Sequence, residues 1–138
     1  MDVKNEMKDG ARSVLKMDHI VFDRVSFVRK GFHDSESKDI SFKARAKIEQ
    51  DAENQYSVTL FVSAEKKHEY VAEVQITGYC TIDDNHPQKD MLLNENAIAI
   101  LFPYVRAELS LITAQPETDP IVLPTMNISA MFKRNSEK

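Results

Sequence analysis

The chain has 138 residues, 42% of them apolar and 29% charged, with 18 Lys and Arg against 22 Asp and Glu for a formal charge of −4. At roughly 150 residues per domain this is one globular unit, able to bury about two-thirds of its unfolded surface without a metal or disulfide staple. A mild acidic surplus gives no electrostatic footprint for nucleic acid or an anionic membrane, and no apolar run approaches the length of a membrane span.

The start, Met1 to Lys16, is polar and carries Gly10, which predicts a flexible arm at 1–16 ahead of a single domain at 17–138. It lacks the apolar core of a signal peptide. The lone Cys80 has no internal partner, which fits a cytoplasmic protein. Ile20 to Val28 is β-branched and aromatic, so a strand is expected, yet its apolar residues fall on both parities. That implies a bulge or burial on both faces.

Three clearer strands follow. Ile40, Phe42, Ala44, Ala46 and Ile48 alternate with polar residues, as do Tyr56, Val58, Leu60, Val62 and Ala64, and then Tyr70, Ala72, Val74, Ile76, Gly78, Cys80 and Ile82. Period-two alternation puts each apolar set on one face. The short links Gln50 to Gln55 and Glu65 to Glu69 favour an antiparallel meander. Asp83-Asp84-Asn85-His86-Pro87 is a turn.

Beyond the turn, Ile98, Leu101, Val105, Leu109 and Ile112 recur at helical spacing. Pro103 is best accommodated in a first turn, which predicts a regular helix from about Phe102 to Ala114 with a shorter helical piece before it. Pro116, Pro120 and Pro124 make the next stretch an extended loop, and Asn127 can cap a short last helix over Ile128 to Arg134. The fold class is therefore α+β: a four-stranded antiparallel sheet, a long helix and a short C-terminal helix. Because the long helix is apolar nearly all round, its other side is expected to meet a second subunit, with Ile98, Leu101, Val105, Leu109 and Ile112 as interface candidates.

No catalytic or cofactor pattern emerges. His19, His33, His68 and His86 are scattered among charged and turn residues, without the spacing of metal ligands. Cys80 lies on the apolar parity of its strand, as a buried thiol would. Asp83-Asp84 suits a turn, and only three glycines occur, too few for a phosphate-cradling loop. Lys43, Arg45 and Lys47 share one strand face and read as solvated. The remaining surface of interest is the apolar, Met-containing end of the chain, where flexible side chains can accept many shapes.

The stretch Ile100-Leu101-Phe102-Pro103-Tyr104-Val105-Arg106-Ala107-Glu108 resembles the "LFPYAR-E" helix start of the SecB protein-export chaperones. Arg24-Val25, the strands Tyr56–Val62 and Tyr70–Gln75, and Leu123-Pro124 followed by Ala130-Met131-Phe132 are similar to family features in the same order. The resemblance implies a cytoplasmic, non-enzymatic holdase without cofactors, assembled as a dimer of dimers. It implies unfolded preproteins as clients and the SecA motor as partner, with no nucleic acid and no membrane insertion.

Carried over by position, it suggests Phe32, Ile40, Phe42, Val122, Leu123, Met126, Ile128, Met131 and Phe132 as polypeptide-binding residues. Val71 and Glu73 are the suggested motor-binding residues. Arg29 and His33 align where the family carries an acidic pair on its first strand, a departure that leaves room for a SecB-like chaperone dedicated to one protein, such as a toxin–antitoxin pair.

Overall fold

The computed structural model describes residues 14–34, 36 and 39–123. Four strands, β1 (Lys16–Arg29), β2 (Ile40–Ala52), β3 (Gln55–Lys66) and β4 (Tyr70–Thr81), form one antiparallel sheet in the order β1-β4-β3-β2. Strands β2 to β4 make the expected meander. β1 instead joins the far side of β4, so the link after it crosses one end of the sheet, giving a Greek-key order.

Alternation decides which face is buried. On β3 and β4 the even-numbered residues from Tyr56 to Ala64 and from Tyr70 to Ile76 are at most 5% exposed, with Cys80 beside them. β1 carries the bulges that its mixed parity suggested: pairing with β4 slips between Met17 and His19 and again between Phe22 and Arg24. Asp23, left out of the ladder, turns its carboxylate to the Thr77 hydroxyl.

Over the buried face lies α2 (Ala97–Ile112), preceded by the single turn α1 (Lys89–Met91) and a π-helical turn, Leu92–Asn96. The regular helix therefore begins five residues before the expected Phe102, and Pro103 lies inside it. Pro103 sits on the exposed side, where the carbonyl that loses its intrahelical donor can face solvent, while Ile98, Leu101 and Phe102 beside it are held in the core. Burial of each such side chain contributes about 1.5–3 kcal/mol, enough together to outweigh the proline cost of about 3 kcal/mol.

Ile98, Leu101, Val105 and Leu109 are no more than 2% exposed and Ile112 packs partly against the same core. The chain's own sheet thus covers the five residues expected to face another subunit. The stripe left open is Ile100, Tyr104, Ala107 and Leu111, at the same helical spacing on the other side. Gly78 lets the helix approach, because a Cβ there would lie 2.6 Å from the Met17 sulfur and 3.1 Å from Leu101 Cδ2.

Candidate polypeptide-binding end of the sheet

The link after β1, the start of β2, the β3–β4 turn and the loop after α2 all gather at one end of the sheet. Topology requires it: Arg29 pairs with Tyr70, Ile40 pairs with Lys66, and α2 runs back along β4 toward this end. The crossover is drawn tight, since Lys30 and Gly31 both donate their amides to the Glu69 carbonyl, at 2.7 and 3.2 Å. A Cβ on Gly31 would lie 2.3 Å from the His68 carbonyl oxygen.

Beneath these loops is a buried polar hub. Lys66 and Glu69 are 4% and 2% exposed, and Lys66 Nζ lies 2.8 Å from Glu69 Oε2. Lys66 also donates to the Asp34 carbonyl oxygen at 3.1 Å. His33 Nδ1 lies 3.1 Å from Glu69 Oε1, and His33 Nε2 lies 3.5 Å from Asp119. Burial pushes the Glu69 carboxyl up, but Lys66, a backbone hydrogen bond from Asp34 and His33 oppose it, and the net is a carboxyl held down at about 2. Tyr70, stacked on Phe27 with ring centroids 5.1 Å apart, closes the hub, and burial pushes its phenol up.

The loop after α2 is pinned from two sides. Arg29 donates to the carbonyls of Pro116 and Glu117 and to the Thr118 hydroxyl. The Thr113 hydroxyl accepts the Ile121 amide at 2.8 Å and donates to the Leu109 carbonyl at 2.6 Å. Ser110 donates to the Ile121 carbonyl. Ile121 is thereby drawn into the core at 4% exposure, and Val122 next to it is left 80% exposed.

Of the polypeptide-binding residues suggested by the resemblance, Phe32, Ile40, Phe42, Val122 and Leu123 all fall at this end. Phe32 is 94% exposed and Phe42, on the inner face of edge strand β2, is 41% exposed. Ile40 and Leu123 pack partly against the core. Met126, Ile128, Met131 and Phe132, with the short last helix, lie outside the described residues, as does most of the 1–16 arm. Val71 and Glu73 stand on the opposite face of the sheet, Glu73 paired with Arg24 at 3.1 Å and within 3.5 Å of the Ser26 hydroxyl.

Their neighbours on the first strand are Val28 and Ser26. Arg29 and His33 do not lie beside them; both serve the loop end of the inner face. Sequence reasoning missed the hub, although Lys66 continues the buried parity of β3 and so signalled a charge in the interior. Among the described residues no three or more His, Cys, Asp or Glu side chains group to hold a metal, and no helix is long and apolar enough to cross a membrane. Cys80 is 1% exposed, and burial, with Asp18 nearby, pushes its thiol up to about 11.

A Greek-key sheet under one long helix, with exposed apolar residues on clasped loops, defines a two-layer α+β scaffold. Residues 9–138 match the family described as preprotein translocase subunit SecB, and the chain belongs to that family. It is 23% identical over 140 residues to an uncharacterized protein of Methanocaldococcus jannaschii, covering 95% of this chain and 90% of that one. It is 31% identical over 106 residues to the protein-export protein SecB of Xanthomonas campestris, covering 73% of this chain and 62% of the relative. In structure it is similar to a SecB-like chaperone of Mycobacterium tuberculosis solved with a ChAD peptide from the HigA1 antitoxin. The TM-score is 0.69 at 12% identity, covering 86% of this chain and 96% of that one, a likeness of fold.

Proposed function

We propose that the protein is a holdase chaperone that keeps precursor polypeptides unfolded for export, binding them at the loop end of the sheet. Family membership supports the class. The observation that carries the site is the exposure of Phe32, Phe42 and Val122 on three segments that the Lys66–Glu69–His33 hub, Arg29 and Thr113 hold in place. Apolar segments of an unfolded client gain about 25 cal/mol per Å² removed from water there. Several weak contacts along one chain add by avidity, and preferential binding of the unfolded state opposes premature folding. The reading includes Met126, Ile128, Met131 and Phe132 as a continuation of the apolar surface.

Self-assembly belongs to the same proposal. The uncovered helix stripe, with Tyr104 49% and Leu111 68% exposed, suits contact with further copies in the family's dimer of dimers. The proposed compartment is the cytoplasm, with 1–16 as an arm on the 17–138 domain.

A second reading, a SecB-like chaperone dedicated to one protein and uncoupled from SecA, is favoured by one observation. Glu73, the acidic residue proposed with Val71 for docking the motor, is neutralised by Arg24. The M. tuberculosis SecB-like chaperone, similar in fold, was solved with an antitoxin peptide, which supports this reading.

Suppression of aggregation of several unrelated unfolded proteins separates the readings: general suppression supports the holdase, and action on one client alone supports the dedicated chaperone. Phe32→Ser with Val122→Ser is expected to leave stability within about 0.5 kcal/mol, both side chains being exposed, while weakening client retention several-fold. Unchanged retention in the folded variant would remove this end of the sheet as the site.

A further inference from the structure

The outer face of the sheet carries a feature that the client site does not use. Two adjacent cross-strand rows run from β2 to β1: Lys43, Ser63, Glu73 and Ser26 in one, and Arg45, Phe61, Gln75 and Arg24 in the other. Around them is an open depression of about 490 Å³ lined by Lys43, Arg45, Phe61, Ser63 and Glu73. The Arg45 guanidinium lies over the Phe61 ring, 4.7 Å from its centroid, which orients one cation along the depression wall.

Its charge is opposite to that of the chain as a whole. Glu73 is paired with Arg24, whereas Lys43 and Arg45 have no carboxylate partner among the described residues. With Lys43 and Arg45 against Glu73, the lining of the depression is therefore net positive on a chain of formal charge −4. Lys43 and Arg45 stand two residues apart on an edge strand, so their positions along it differ by about 7 Å. Carboxylates at alternate residues of another extended chain repeat at that same interval.

We propose that this depression receives an extended acidic segment of a partner polypeptide, with carboxylates at every second residue meeting Lys43 and Arg45, the latter held in place by Phe61. Because it lies on the face opposite Phe42, the acidic partner and an apolar client can occupy the protein together. The site stands whether or not the loop end holds clients.

The test is fluorescence anisotropy of the full chain with a short fluorescein-labelled peptide of alternating Glu and Ser, in dilute salt. Binding is expected to weaken as salt is raised, and to fall about tenfold in Lys43→Glu/Arg45→Glu, two exposed pairs being reversed. Lys43→Gln/Arg45→Gln, which keeps the fold free of new charge, should lose several-fold. A peptide of the same composition with its Glu residues in one block should bind more weakly. The proposal is overturned if both variants bind the alternating peptide as tightly as the parent. Equal binding of the block peptide or of a Lys–Ser peptide overturns it too, as does tighter binding of a single-stranded oligonucleotide.

Discussion

Glu69→Gln tests whether the hub holds the loop end together. The substitution keeps the shape of the side chain but removes its charge, leaving the Lys66 ammonium, 4% exposed, with only neutral acceptors, the Gln amide oxygen and the Asp34 carbonyl. Removing one partner of a buried pair costs about 3–5 kcal/mol because the other charge is left uncompensated. With a urea m-value of about 2 kcal/mol per molar, the midpoint should fall by roughly 1.5–2.5 M. The chain has no tryptophan and four tyrosines, so far-UV circular dichroism is the practical readout.

Lys66→Met should cost a similar amount. The double variant should cost less than the two together, since no unpaired charge remains. The pH dependence has a fixed sign. Glu69 is held from 4.5 down to about 2, so its contribution is complete above 4.5 and lost as pH falls through about 2. Glu69→Gln should lack that part of the acid transition. A midpoint shift under about 0.3 M, or strictly additive costs in the double variant, would refute the reasoning.

Leu101→Ala should cost about 2–5 kcal/mol by leaving a cavity between α2 and β4, measured by the same denaturation, and a loss below 1 kcal/mol would mean that the helix repacks. Gly31→Ala should cost about 1–3 kcal/mol, because its Cβ meets the backbone carbonyl of His68, and hydrogen exchange at the Lys30 and Gly31 amides should rise if the crossover is displaced. Leu111→Asp puts a charge on the uncovered helix stripe; sedimentation should show a smaller assembly with the monomer fold intact, and an unchanged assembly would exclude that stripe as a contact.

The strands were legible where alternation was unbroken. Tyr56 to Ala64 and Tyr70 to Cys80 face the core as their parity requires. β1 was harder to read because two bulges shift its parity, and its place beside β4 rather than β2 has no local signature. Pro103 obscured the helix start, since a local backbone preference was overridden by burial of the residues around it. The proposed client end was legible only through resemblance. Phe32 and Val122 look like ordinary loop residues until long-range hydrogen bonds bring their segments to one end of the sheet, and the hub that does so joins residues more than thirty positions apart in sequence.

The strand order also sets a sequence of events in time. Met17 waits for Cys80, so the leading strand of the sheet finds its neighbour only after three others have been made. The two hairpins that follow are local and quick to form; docking the leading strand closes a much longer loop and comes late. Until then β4 offers an unpaired edge, and this polypeptide is itself, for a moment, in the condition of the chains it would protect.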